Sequence, residues 1–168
     1  MSNIQSIRIS GITPESIVDG EGIRYVIFTQ GCPHHCVGCH NPSTHSFNGG
    51  KVVAIHDILT DIEKNSEYID GITLSGGEPF CQIDQCSIIT KQARKLGLTV
   101  WCYTGFSFEE LYGRGDALEL LQDIDVLVDG PFILEERSLD LDFRGSWNQR
   151  IIDVRTSLKE GVTTMKKF

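Results

Sequence analysis

Apolar side chains first alternate with polar ones and then gather into short uninterrupted runs. The alternation covers residues 6–12 and predicts an edge strand. Continuous apolar runs follow at residues 25–28, 72–74, 98–103 and 125–129. Runs of this length, bounded by polar or glycine-containing segments, are typical of strands that are buried on both faces.

Helical spacing appears between these runs. It predicts an amphipathic helix over residues 54–64 and a second over residues 84–96, while Gly113 and Gly115 break a third between residues 108 and 121. Strands that alternate with helices favour parallel pairing through right-handed crossovers. The predicted fold class is therefore α/β, with ligands bound at the carboxyl ends of the strands.

Composition limits the classes of protein to consider. The chain has 168 residues, of which 40% are hydrophobic and 23% charged, and it lacks repeats and low-complexity tracts, so residues 1–168 are predicted to form one domain with a real core. A net charge of -8 argues against partners that are polyanions, namely nucleic acid and anionic membrane. We expect proteins or small molecules as partners.

The chain is expected to reside in the cytoplasm. Its first residues lack the basic and then apolar build of a signal peptide, and no apolar run is long enough to span a bilayer. In a reducing compartment its six cysteines are more often metal ligands, catalytic thiols or buried apolar residues than disulfide partners.

Three of these cysteines lie within eight residues. Cys32, Cys36 and Cys39 have C-x3-C-x2-C spacing in a loop that follows an apolar strand. Thiolates are soft ligands that suit iron-sulfur clusters or zinc, and a loop this short can direct three of them at one small object. His40 is badly placed to follow Cys39 onto the same metal, so a fourth position stays open for a substrate. A structural zinc loop is the alternative.

This cysteine triplet resembles that of the radical S-adenosylmethionine (radical SAM) enzymes. The segment Ser75-Gly76-Gly77-Glu78-Pro79, directly after an apolar strand, is similar to the Gly-Gly-Glu segment with which that family holds the methionyl amine. The resemblance implies an incomplete (β/α) barrel, trimmed at this length to a single small domain. It also implies a 4Fe-4S cluster on the three cysteines and S-adenosylmethionine on the fourth iron.

Individual roles follow from the same resemblance. Gly38, Cys39 and His40 would lie near the adenine of the cofactor. Gly76 and Gly77 would let the strand end approach the methionyl group, and Glu78 would accept from its ammonium. The alternative for Glu78 is a negative charge at the start of the following helix.

Four other polar positions are weaker candidates. Asp129 lies at the end of the fourth buried strand. Activases that resemble this chain often have a lysine two residues after this aspartate, but this chain has Pro131 at that position. Asp129 is therefore a candidate for cofactor binding without a basic partner. His34 and His35, between the first two cysteines, are each predicted to be solvated loop histidines, with contact to the cofactor or tuning of the cluster as the alternative. Arg24 ends an Asp-Gly-x-Gly-x-Arg segment that resembles one in glycyl-radical-enzyme activases, although alone it is typical of a turn with an exposed arginine.

Within the radical SAM class, the chain is most similar to the activating proteins of anaerobic ribonucleotide reductase. The similarity rests on the short length, on residues 126–132 and on Arg144-Gly145-Ser146-x-Asn148-Gln149. It implies that the chain takes a hydrogen atom from a glycine of the large reductase subunit, with electrons from a donor such as flavodoxin. The alternatives are a pyruvate formate-lyase type activase, a small-molecule enzyme such as 7-carboxy-7-deazaguanine synthase, and a zinc-binding adaptor without turnover.

Overall fold

A computed structural model describes residues 4–168. Its seven strands are β1 (Ser6–Ser16), β2 (Arg24–Thr29), β3 (Lys51–Ala54), β4 (Gly71–Gly76), β5 (Thr99–Tyr103), β6 (Val126–Asp129) and β7 (Arg150–Asp153). Its five α-helices are α1 (Ile55–Asn65), α2 (Ile83–Lys95), α3 (Phe108–Tyr112), α4 (Gly115–Leu121) and α5 (Val154–Glu160). Among these described residues, no helix has both the length and the apolar character needed to cross a membrane.

All seven strands belong to one sheet, in the order β3-β1-β2-β4-β5-β6-β7. The four central strands β2, β4, β5 and β6 are parallel, and the flanking strands β1, β3 and β7 pair antiparallel. The predicted α/β class is confirmed. Within residues 4–168 the edge strands β3 and β7 do not pair with each other, so the sheet stays open, as an incomplete barrel requires.

The strand predicted over residues 6–12 is present, but its predicted position at the edge of the sheet is wrong. β1 lies inside the sheet because β3 pairs with Ser6–Ile9 on its outer side. β3 was not predicted from the sequence, because it has only four residues and most of its side chains are exposed, so it lacks a hydrophobic pattern. β1 also continues to Ser16, past the predicted end.

The two faces of the sheet are covered differently. Ile72 and Leu74 of β4 belong to the large apolar core beneath the helices, as do Val100 and Cys102 of β5. We call this the helix-covered face. Side chains alternate along a strand, so the intervening residues point the other way, and Trp101 of β5 belongs to a second, smaller apolar cluster.

Loops rather than helices cover that second face, which we call the loop-covered face. The β1–β2 connection lies directly on it, since a Cβ at Gly20 would come within 2.8 Å of the Trp101 ring. From the other side, Phe143 meets the same ring edge to face at 5.2 Å between centroids. Residues 17–23 and 130–149 therefore wall off a space above the sheet.

A buried cation anchors one of these loops. Arg24 is 1% exposed, so the prediction of an exposed arginine is wrong. Its guanidinium donates to the carbonyls of Ile72 and Thr99, at 2.6 and 3.1 Å, and to the carbonyl of Glu21 in the loop. Desolvation by burial lowers the pKa of Arg24 to about 10. Arg24 thus ties the loop to the starts of β4 and β5.

Candidate functional site

The cysteine loop begins where β2 ends and is fixed mainly at its base. The amides of Gly31 and Cys32 donate to the carbonyls of Thr44 and His45, at 2.7 and 3.1 Å. These hydrogen bonds hold the start of the loop against the segment that follows it. Cys32 is buried, and this burial raises the pKa of its thiol to about 11. Cys36 and Cys39 are half-buried.

The donor set of this loop suits an iron-sulfur cluster. All three thiols are free, and the backbone amide of Asn41 donates to the Cys39 sulfur at 3.4 Å, the kind of contact that tunes a bound cluster. In residues 4–168 no three His, Cys, Asp or Glu side chains already stand in a metal-binding arrangement. The three thiols nevertheless belong to one eight-residue segment of the loop. Their role as ligands stays a prediction.

A cavity of about 560 Å³ opens on the loop-covered face, next to this loop. Cys39 and His40 line it from the cysteine loop, Gly76 from the end of β4, and Tyr103 from the end of β5. The cavity thus lies where the carboxyl ends of parallel strands place a ligand site. The remaining wall comes from residues 17–19 and from side chains beyond β6, among them Phe132, Phe143, Arg144 and Gln149.

The glycines of the Gly-Gly-Glu segment are required by close backbone packing. Gly76 has φ +91°, and a Cβ on it would lie 2.5 Å from the backbone nitrogen of Thr29. A Cβ on Gly77 would lie 2.4 Å from the carbonyl oxygen of Gly31, the residue before Cys32. Gly77 therefore lets the end of β4 press against the base of the cysteine loop. Contact of either glycine with the cofactor stays a prediction.

Glu78 is fully buried and surrounded by donors. One carboxylate oxygen accepts from the Thr104 hydroxyl at 2.8 Å and from the Phe80 amide at 3.2 Å. The other accepts from the Gly105 amide at 2.8 Å and lies 2.7 Å from Nε2 of His34. Glu78 does not line the cavity. The predicted contact with an ammonium is untested, and the structure gives Glu78 a set of internal partners that the sequence did not indicate.

His34 and His35 differ although they are neighbours in one loop. The prediction of a solvated His34 is wrong, because its side chain is only 15% exposed and reaches Glu78. His35 is exposed and has a positive φ of 51°. The sequence around the two histidines does not predict which one is buried, since Glu78, the partner of His34, lies 44 residues further along the chain.

Asp129 is buried at the end of β6 and has a basic partner after all. Arg150 of β7 donates to its carboxylate through Nε at 3.0 Å and also through the terminal nitrogen Nη2. The antiparallel register places Asp129 and Arg150 opposite each other. The Phe108 amide donates to the same carboxylate at 2.8 Å. Asp129 lies outside the cavity lining, and its role in cofactor binding stays a prediction.

Several lining residues were not among the predicted site residues. Tyr103 at the end of β5 is one of them, and burial raises the pKa of its hydroxyl well above the usual value. Phe132 packs edge to face on His40, at 5.0 Å between ring centroids. The turn that begins at Arg144 closes on itself, since Arg144 donates to the Gln149 carbonyl and Gln149 accepts from the Gly145 amide. The signal for this wall was the Arg-Gly-Ser-x-Asn-Gln segment.

Known proteins are similar to this chain in sequence or in structure. A family model described as a 4Fe-4S single cluster domain matches residues 18–152, which include the cysteine loop and most of the cavity wall. A crystal structure of QueE from Escherichia coli aligns with a TM-score of 0.46 and 15% identity, over 74% of this chain and 70% of that one.

Curated relatives match at higher identity. The anaerobic ribonucleoside-triphosphate reductase-activating protein of Haemophilus influenzae is 34% identical, over 82% of this chain and 92% of the relative. The protein of the same name from Escherichia coli K12 is 34% identical, with 84% and 96% covered. That of Vibrio cholerae is 36% identical, with 82% and 92% covered. As its short length, residues 126–132 and the Arg-Gly-Ser-x-Asn-Gln segment predicted, the chain belongs to the family of anaerobic ribonucleoside-triphosphate reductase-activating proteins.

Proposed function

We propose that this chain is a radical SAM activase that generates the glycyl radical of an anaerobic ribonucleotide reductase. One observation carries the proposal: three free cysteines of a 4Fe-4S domain lie in a loop that opens on the same cavity as the glycine-rich end of β4. The relatives that match over most of their length are named for activating that reductase.

The residues divide the work as follows. Cys32, Cys36 and Cys39 would hold the cluster, and the cavity beside Cys39 and Gly76 would hold S-adenosylmethionine. When bound, the cluster, reduced by an external one-electron donor, would supply the electron for cleavage of S-adenosylmethionine to methionine and a 5′-deoxyadenosyl radical. That radical would take the glycine hydrogen, which would give 5′-deoxyadenosine and a glycyl radical.

The partner is proposed to be the large reductase subunit, with a one-electron donor such as flavodoxin and with the cytoplasm as compartment. Trp147 supports a contact surface near the cavity. It is 59% exposed and lies under the Arg144 guanidinium, 5.6 Å from ring centroid to Cζ. Because the turn is internally hydrogen-bonded, it presents this aromatic side chain in a fixed position, as an interface anchor requires.

The test of the function combines two measurements on the anaerobically reconstituted protein. With a reductant and S-adenosylmethionine, we expect methionine and 5′-deoxyadenosine by chromatography, and with the large reductase subunit added, a glycyl radical by electron paramagnetic resonance. Cofactor cleavage without any glycyl radical would favour a small-molecule radical enzyme. A colourless protein that contains zinc would support the adaptor alternative.

The contact surface can be tested separately from the cavity. Arg144 lines the cavity, so Trp147, which does not, is the cleaner probe. Trp147→Ala should leave uncoupled cofactor cleavage unchanged and lower the rate of glycyl radical formation. Tyr68→Ala, which removes an exposed aromatic residue between α1 and β4, serves as the matched control. Equal loss of both activities in Trp147→Ala would mean that the turn only supports the fold.

A further inference from the structure

His34 occupies a small pocket built by residues of two strand ends. Its Nε2 lies 2.7 Å from the buried Glu78 carboxylate, and its ring meets Phe106 edge to face at 4.6 Å between centroids. Gly105 completes the pocket, because a Cβ there would lie 2.4 Å from the His34 ring. The close packing of the ring against the carboxylate and the glycine indicates a specific site for the His34 side chain rather than a chance contact.

The His34 side chain lies in a part of the cysteine loop that has few other contacts with the rest of the fold. Within residues 4–168, the other hydrogen bonds that fix the loop to its surroundings lie at its base, at Gly31 and Cys32. Between Cys32 and Cys36, the side chain of His34 is hydrogen-bonded to the end of β4, whereas the ring of the exposed His35 meets only His45 near the base of the loop, at 6.0 Å between centroids. The neighbouring Val37 is 76% exposed and gives the loop no apolar anchor.

Glu78 in turn joins the loop to the rest of the site. Each of its two oxygens has two partners, so its acceptor sites are filled by Phe80 after β4, by Thr104 and Gly105 after β5, and by His34. A buried carboxylate with all its partners present holds those partners rigidly, because loss of any one leaves an unpaired charge.

We propose that His34 is a positioning residue, which through Glu78 fixes the Cys32–Cys36 half of the cluster loop against the ends of β4 and β5. The proposal rests on the proposed function in so far as the loop carries a cluster. It assigns Glu78 a role in holding the protein chain, in place of the ammonium contact that the family resemblance implied. Gly105 and Phe106 contribute to the same positioning by packing against the His34 ring.

The decisive experiment follows the reactivity of Cys32 and needs no cofactor. The full chain is depleted of iron with a chelator, treated with iodoacetamide under reducing conditions, and analysed by mass spectrometry for each cysteine. His34→Ala should raise the alkylation rate of the buried Cys32 by about tenfold, the factor by which losing a hydrogen bond to a charged group shifts a local opening equilibrium. The deeply buried Cys102 should stay unreactive and reports on global unfolding.

Two further variants separate positioning from general stability. His34→Gln keeps a side-chain N–H donor and should restore slow alkylation of Cys32. The double variant with Glu78→Gln and His34→Ala should show a Cys32 alkylation rate close to that of either single variant. His35→Asn alters an exposed neighbour, keeps a residue type that tolerates positive φ, and should behave as the natural protein does. Unchanged reactivity of Cys32 in His34→Ala, or an equal rise at Cys102, would overturn the proposal.

The reconstituted protein provides a second readout. His34→Ala should release its iron to a chelator faster than the natural protein, and His34→Gln should not. Equal release rates in all three proteins would contradict the positioning role. If the natural protein itself retained no iron, the proposed function would fail, and the alkylation result would still decide the role of His34.

Discussion

The two faces of the sheet are built on different principles. The helix-covered face is an apolar core in which side chains such as Ile72 and Leu74 pack against α1 and α2. The loop-covered face contains buried polar groups, Arg24 and Thr73 among them, that hold connections in place. Stability on the first face comes from apolar area removed from water, whereas the second depends on completed hydrogen bonds. The site lies on the second face.

The largest expected difference between the faces concerns iron. Cys32→Ser, Cys36→Ser or Cys39→Ser should each abolish cofactor cleavage and lower metal affinity by more than about a hundredfold, beyond the losses seen for partners outside the ligand shell. Cys102→Ser, on the helix-covered face, should keep its iron while losing stability, and Cys81→Ser, which is exposed, should change neither. Iron analysis and denaturation measure the two effects. Similar behaviour of all five variants would refute the ligand assignment.

Loss of the buried cation should be the next largest effect. Arg24→Met leaves the carbonyls of Ile72 and Thr99 without their donor, and we expect the free energy of unfolding to fall by about 2–4 kcal/mol. Arg155→Met, at a half-exposed arginine of α5, is the control and should cost less than about 1 kcal/mol. Urea denaturation compares the two. Equal losses would mean that Arg24 contributes no more than a surface ion pair.

Substituting glycine on the two faces should give opposite signs. Gly77→Ala forces a Cβ against the Gly31 carbonyl, so we expect a cost of about 1–3 kcal/mol and a lower iron content. Gly115→Ala, at the start of α4 in open space, should be neutral or stabilising by up to about 1 kcal/mol. Weakened cofactor binding in Gly77→Ala with full iron and stability would instead place Gly77 at the methionyl group.

The smallest expected effect is a pH dependence where Arg150 of β7 meets Glu109 of α3. Hydrogen bonds from Arg150 lower the pKa of Glu109 to about 2. A carboxyl group with a depressed pKa stabilises the fold above its ordinary pKa and loses that contribution as the pH falls toward the lowered value. Because Glu109 is mostly exposed, Glu109→Gln should cost only about 0.5 kcal/mol at pH 7. The difference from the natural protein should shrink below about pH 4.5, near the usual carboxyl pKa, and a constant difference would exclude this pair as its source.

The helix-covered face was largely predictable from sequence. Helices expected over residues 54–64 and 84–96 occur at Ile55–Asn65 and Ile83–Lys95, because a 3.6-residue period is a local property of the chain. The four parallel strands were likewise visible as apolar runs. β3 and α5 were missed, since four mostly exposed residues and a seven-residue helix after an apolar run carry little periodic signal.

The strand ends and loops around the site were predictable only where chemistry lies close together in sequence. Three cysteines within eight residues could be recognised without a structure. The partners of the buried polar groups could not, since Arg150 follows Asp129 by 21 residues and Glu78 follows His34 by 44. Such pairs are set by strand register and by loop placement, which no local pattern records.

The central claim is that the three-cysteine loop holds a cluster with one iron open to S-adenosylmethionine in the adjoining cavity. Electron paramagnetic resonance of the reduced, anaerobically reconstituted protein tests it most directly, with and without S-adenosylmethionine. We predict about four irons per chain, as a 4Fe-4S cluster requires, and a cluster spectrum that changes when the cofactor is added. A spectrum that stays the same in the presence of saturating cofactor would contradict the account.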